Sequence, residues 1–308
     1  SRTQPAEVHQ SILINKHYKM TLELENEYLH VAMDSKGAEL TRILHKETGK
    51  DILWDANPAF WGKTSPVLFP IVGALKDDTY FYKGGTYSLP RHGFARDREF
   101  TVEEASQDKV VFLLKDDASS RLVYPFAFEF RIIYNINARV LSCTYEITNP
   151  SDADLYASVG GHPAFKVDTG GGLDYADYYL EFNKDEELRY FPLVGNAIGE
   201  ASETLPLQNG RLPLSYALFY KDALVIKDLK SDVIRLRNCK TYGGIDFHFE
   251  GFPFFGIWAA KDADFVCLEP WCGVADSVSH NQELSTKEGI VKLEAGSVFE
   301  RSWRVEAV

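Results

Sequence analysis

The stretch FAFEFRIIYNINARVLSCTYEITN, from Phe126 to Asn149, decides the fold class. Phe128, Phe130, Ile132, Tyr134 and Ile136 recur at every second position, with Glu129, Arg131 and Asn135 among the residues between them. After a short break the alternation resumes, with Leu141, Cys143, Tyr145 and Ile147 set against Ser142, Thr144 and Glu146. A period of two belongs to strands with one face on a core. Working outward, MTLELENEYLHVAMD and DKVVFLLKDD alternate in the same way. DALVIKDLKSDVIRLRN reads as a hairpin turning near Asp228 to Ser231, and GIVKLEAGSVFERSWRVEAV as another turning at Ala295-Gly296. Helical segments are few: PAFWG and SYALFYK each have room for about one turn. No repeat, charge block or Gly/Pro-rich linker interrupts the pattern. The expectation is an all-β chain in which residues 20–308 form a single large, mainly antiparallel domain. Residues 1–19 are then an N-terminal extension or tag remnant. So many strands resolve into packed sheets or a closed barrel.

Composition narrows the partners. A formal charge of −12 argues against nucleic acid or an anionic membrane, both of which ask for a basic surface. Hydrophobic residues make up 45% of the 308, enough for a substantial core. Cys143, Cys239, Cys267 and Cys272 form no C-x-x-C pair, so neither a zinc ribbon nor a disulfide framework is expected. This usage fits a reducing, cytoplasmic compartment. The longest apolar run, PVLFPIVGAL, is too short to span a bilayer. The start, SRTQPAEVHQSILINK, lacks the apolar core of a signal peptide. It is equally compatible with a vector remnant, an edge extension or the residue of a removed signal.

Three stretches break their strand pattern with titratable groups. LPRHGFARDREF holds Arg91, His92 and Arg96; SVGGHPAFKV holds His162; CLEPWCGVADS holds Glu269. In the second, Gly160 and Gly161 permit backbone conformations that other residues resist, and Pro163 biases His162 toward an extended one. Alone, each stretch reads as a strand-end turn. Together they set two imidazoles and a carboxylate at strand ends beside aromatics, where sites are built on rigid sheets. No G-x-S-x-G elbow, P-loop, G-x-G-x-x-G or H-E-x-x-H occurs. GGIDFHFEGF puts Asp246 and His248 on one side of a strand, a pair better explained by structural hydrogen bonds than by a metal, since no third ligand stands at a telling spacing.

SPVLFPIVGALKDDTY, LPRHGFARDREF, GGHPAF, LEPWCGVADS and KEGIVKLEAG, in that order, resemble the aldose 1-epimerase (galactose mutarotase-like) superfamily, and within it the LacX-like branch. The resemblance spans nearly all but the first twenty or so residues. It implies a two-layer antiparallel β-supersandwich with a sugar in a cleft across one face. It also implies interconversion of the α and β anomers of an aldose by acid and base, with no cofactor and no metal, because only protons move. On this resemblance Glu269 is the base and His162 the acid. His92 holds the sugar, Arg96 and Arg91 contact substrate, and Asp222 binds a hydroxyl, with Asp246 as the alternative. Where a phosphosugar branch carries a second arginine, this chain has Gly62-Lys63, and Lys63 meets an anion only as a point charge. Trp61, Phe69, Phe165 and Trp271 are candidates for an apolar sugar platform or for core. Two further readings stay open: a hexose-6-phosphate epimerase, motivated by Arg96 with Lys63 or Arg91, and a sugar-binding protein without catalysis.

Overall fold

The computed structural model describes residues 20–308. The extension expected over residues 1–19 lies outside the described residues. The opening stretch forms the hairpin at the heart of the fold. Glu129–Asn137 pairs antiparallel with Val140–Thr148, in a register that runs from Asn137 opposite Val140 to Glu129 opposite Thr148. Ala138 turns the corner with a φ of +51°. Phe130, Ile132, Tyr134 and Ile136 are buried, as are Leu141, Cys143, Tyr145 and Ile147 across from them. The period of two therefore becomes one buried face, and each large apolar side chain on it contributes about 1.5–3 kcal/mol.

That hairpin lies within a nine-stranded antiparallel sheet. Its order is Arg211–Pro213, Tyr178–Phe182, Val233–Asn238, Ile245–His248, Val298–Ala307, Val140–Thr148, Glu129–Asn137, Lys109–Lys115 and Thr101–Ala105. An eight-stranded sheet lies against it. Its order is Glu203–Pro206, Glu187–Phe191, Leu224–Ile226, Phe254–Trp258, Phe265–Cys272, Val159–Gly161 and Val67–Leu68, with Ala164–Lys166 also paired to Phe265–Cys272. Aromatic rings join the layers: Phe69 stacks on Phe130 at 4.2 Å, and Phe165 and Phe255 meet Phe247 at 5.4 and 6.3 Å. Thr21–Glu25, Leu29–Asp34, Glu39–His45 and Lys50–Asp51 form a separate four-stranded sheet. The fold is the all-β, two-layer sandwich that the alternation implies.

Two expected hairpins are crossovers instead. Leu224–Ile226 pairs within the eight-stranded sheet and Val233–Asn238 within the nine-stranded one, so the chain changes layer at Asp228 to Ser231. The buried Asp185 carboxylate fixes that passage by accepting the Lys230 and Ser231 N–H groups at 3.1 and 2.8 Å. Likewise Val291–Leu293 pairs with Leu155–Ala157, whereas Val298–Ala307 pairs with Val140–Thr148. The turn at Ala295-Gly296 exists, with the Asn149 amide donating to the Leu293 and Glu294 carbonyls at its start, but the strands on either side of it join different sheets. SYALFYK supplies a short 3₁₀ turn over Tyr216–Phe219, while PAFWG is only a turn closed on the Asn57 carbonyl. One short helix, Ala118–Val123, escaped the strand reading. Asp117 and Ser120 cap it reciprocally. No helix among the described residues is long and apolar enough to cross a membrane, and all four cysteines are free.

Candidate active site

Strand register brings His162 and Glu269 together. Val159–Gly161 and Ala164–Lys166 both pair with Phe265–Cys272, Gly160 opposite Trp271 and Ala164 opposite Cys267. The same register holds on both sides of the His162-Pro163 break, which puts His162 directly across from Glu269. Proline cannot donate to a ladder, so the break falls where the side chains need room. His162 Nε2 lies 3.3 Å from Glu269 Oε1, and both side chains are almost wholly buried, 9% and 3% exposed.

Gly160 and Gly161 serve a different end from the one their type suggests, since neither has a positive φ. A Cβ on Gly160 would stand 2.6 Å from Trp271 Cδ1, and one on Gly256 2.4 Å from Trp271 Cζ2. The indole therefore lies flat across two glycines beside Glu269. Gly161, facing the other layer, would collide with the Tyr145 hydroxyl and the Trp303 indole nitrogen. Close approach, not conformational freedom, explains this glycine pair.

These groups open into a cleft of about 790 Å³. Trp61 stacks on the His162 ring at 4.9 Å, while Trp258 and His92 each meet it edge-on at 5.7 Å. His92 has a φ of +65°, in a turn locked by its own partner: its N–H donates to the Gly73 carbonyl, and its Nδ1 accepts the Gly73 N–H, both at 2.9 Å. With Nδ1 acting as acceptor, the neutral ring carries its hydrogen on Nε2. Asp222, with a φ of +101°, also lines the cleft, as do Arg91 and Arg96. Arg91 is held by the Asn196 side chain at 2.6 Å, and Arg96 donates to the Arg91 carbonyl at 3.1 Å.

Burial dominates the electrostatics. It pushes the Glu269 carboxyl well above the usual carboxylate range; the Trp271 indole opposes this, and the charge on Asp222 adds to it. Burial also pushes His162 down to about 3, with Arg96 and Arg91 contributing. His92 is lowered well below its ordinary value for the same reason, its neighbour His162 adding to the effect. The pair thus favours a neutral imidazole beside a protonated carboxyl, with one proton between two groups. His162 Nδ1 is buried and has no hydrogen-bond partner among the described residues. Such a site can pass protons without building up charge.

The sequence profile of the family "Aldose 1-epimerase" matches residues 20–288. The chain belongs to the aldose 1-epimerase family. It is 35% identical over 285 residues to the chromosomal protein LacX of Lactococcus lactis subsp. lactis, which covers 89% of this chain and 95% of that protein. Among solved structures, it superposes on a galactose mutarotase related enzyme from Lactobacillus acidophilus with a TM-score of 0.90. That match has 35% identity and covers 94% of this chain and 97% of the other. A galactose mutarotase-like protein from Lactobacillus casei follows at 0.86 and 26% identity, covering 94% and 100%.

Within this family frame, the cleft walls hold His162, Glu269, His92, Arg96, Arg91 and Asp222 together. Lys63 is not among the lining residues; its Nζ lies 4.0 Å from a Glu39 carboxylate oxygen. Asp246 lies on the other sheet, ion-paired to Arg237. Of the four aromatic candidates, Trp61 and Trp271 face the cleft, whereas Phe69 and Phe165 are core. Sequence reasoning missed Trp258, Asn196, Lys221 and Lys261, which also line the cleft. Trp258 lies in the regular strand Phe254–Trp258, and Asn196, Lys221 and Lys261 lie in turns beside the positive-φ residues Gly195, Asp222 and Asp262, so sheet order rather than a local motif brings them to the site.

Proposed function

We propose that the protein is an aldose 1-epimerase that opens and recloses the sugar ring with Glu269 as base and His162 as acid. The observation that carries this reading is the His162–Glu269 pair, 3.3 Å apart on the floor of an aromatic-walled cleft. Both oxygens of the anomeric centre sit on C1, so two adjacent groups can serve both. The single proton of the pair first passes from Glu269 to His162 across their contact; Glu269 then takes the proton from the C1 hydroxyl as His162 gives its own to the ring oxygen. The C1–O5 bond breaks, the aldehyde end rotates about C1–C2, and closure on the other face returns both protons. The count of protons on the pair is the same before and after, and each step moves a proton between groups that chain and sugar already carry. A raised base and a lowered acid drive both transfers. His92 presents Nε2–H as a donor to the sugar, Asp222 accepts from a hydroxyl, and Trp61 and Trp271 cover the C–H surface.

A second reading, an anionic sugar such as a hexose 6-phosphate, is favoured by one feature. Arg91, Arg96, Lys221 and Lys261 all line the cleft of a chain whose formal charge is −12. None of the four is ion-paired among the described residues. The test is NMR line-exchange or polarimetry across free and phosphorylated aldoses. Catalysis of at least one aldose far above the buffer rate supports the first reading. A higher kcat/KM for the phosphosugar, lost in Arg96→Ala, supports the second. Tight sugar binding by calorimetry with no acceleration overturns both and leaves a binding protein.

A further inference from the structure

Behind the cleft lies a buried ion pair that the chemistry above leaves unused. Lys287, from the KEGIVKLEAG stretch, places Nζ 2.6 Å from Asp276 Oδ1, and both side chains are 1% exposed. His280 Nδ1 lies 3.4 Å from the same oxygen and accepts the Gln282 N–H at 2.9 Å. Burying two charges rarely adds net stability over an apolar filling of the same shape. The pair therefore calls for another explanation, and its contacts supply one.

Asp276 gathers two further segments. Its Oδ2 accepts the Lys76 N–H at 2.8 Å, its own N–H donates to the Ala74 carbonyl at 3.0 Å, and its carbonyl accepts the Ile198 N–H at 2.9 Å. Ala74 follows Gly73, the residue that holds His92 at both its N–H and its Nδ1. Gly73 is itself pressed onto the neighbour of Asp276: a Cβ there would stand 2.5 Å from Ala275 Cβ. On the other side, Asp276 lies four residues beyond Cys272, the end of the strand that carries Glu269 and Trp271. The pair thus stands where the Glu269 strand and the His92 turn meet, and Gly73 is the link.

We propose that Asp276 and Lys287 form a positioning pair for His92: they seat the Gly73–Lys76 segment so that Gly73 N–H occupies His92 Nδ1 and leaves Nε2–H as a fixed donor into the cleft. The readout in turnover rests on the epimerase reading, so the experiment includes an arm that needs no turnover. Ring-nitrogen NMR of ¹⁵N-labelled protein, with His92 assigned by its loss in His92→Gln, reports the tautomer directly. In the wild type His92 is the Nε2–H form. In Lys287→Met the signals move toward a mixture of tautomers, and kcat/KM falls about tenfold.

In a His92→Gln background the same Lys287→Met change costs less than about twofold, because the route it acts through is gone. Asp276→Asn, which keeps an acceptor but discards the charge, gives a smaller shift in the same direction. It also carries the test if Lys287→Met does not fold. An unchanged His92 tautomer and unchanged kcat/KM in both variants, with only a lower melting temperature, would make the pair a plain structural clamp and overturn the proposal. If the wild type anomerises no sugar, the tautomer measurement still decides the positioning claim separately from the epimerase claim.

Discussion

Among the described residues, two three-residue clusters join histidine to carboxylate on the two large antiparallel sheets, and they differ in what surrounds them. On the eight-stranded sheet, His162, Cys267 and Glu269 bring their polar atoms within 4.8 Å of one another, all buried. On the nine-stranded sheet, Asp246, His248 and Glu306 do the same, all half-buried. The second cluster is threaded with arginines: Arg237 and Arg235 reach Asp246 at 2.5 and 3.7 Å, and Arg304 reaches His248 at 3.2 Å. Those guanidiniums lie against the Asp246 carboxylate and the His248 ring and offset the negative charge there. No ion pair to a lysine or arginine reaches Glu269 among the described residues, and burial pushes its carboxyl up and the His162 imidazole down. Similar residues give an arginine-compensated network in one place and, on the proposed mechanism, a proton-transfer pair in the other, where no such compensation opposes the shifts that burial imposes.

The comparison breaks if the outer cluster matters as much as the inner one. The largest effect is expected at His162: His162→Gln should lower kcat about 10²–10⁴-fold, the usual span for a general acid. His248→Gln should stay within about twofold, both measured on the same sugar. Next comes Gly160→Ala, whose new Cβ would meet Trp271 at 2.6 Å. Displacing the indole beside the base should cut kcat about ten- to a hundredfold and cost about 1–3 kcal/mol in urea unfolding.

Acidity then sharpens the contrast. The folded pKa of His162 is lowered to about 3. Below about pH 6.5 the unfolded chain binds a proton that the folded chain refuses, so stability falls as pH drops toward 3. His162→Gln should remove up to about 1.4 kcal/mol per pH unit of that slope in denaturant titrations between pH 7 and 4. A slope identical in the variant and the wild type would contradict the assigned burial effect. His248, only partly buried and opposed by Asp246 and Glu306, should change the slope far less. Smallest of all, Asp246→Asn should leave turnover within about twofold, measured on the same sugar.

Much of this was legible in the chain, and the reasons are specific. Alternation in Phe126 to Asn149 set the layers because a strand with one buried face has no other way to be written. GGHPAF and LEPW stood out because a ladder-breaking proline and a carboxylate in an apolar run are both costly unless something uses them. The crossovers at Asp228 to Ser231 and at Ala295-Gly296 were not legible, since a turn fixes a change of direction but not which sheet the next strand joins. The Gly160 reading was right in place and wrong in cause: its need arises from Trp271, more than a hundred residues away in sequence. Lys63 was placed by its neighbourhood in sequence, while Lys221 and Lys261 reach the cleft through sheet order alone.

The most direct measurement is polarimetry of a freshly dissolved pure anomer, with an aldose that the wild type equilibrates, comparing wild type with Glu269→Gln at neutral pH. Glutamine keeps the shape of the buried side chain and removes its ability to take a proton. The account predicts a folded protein whose acceleration over buffer is lost by about 10²-fold or more. A Glu269→Gln protein that equilibrates the anomers as fast as the wild type would contradict it.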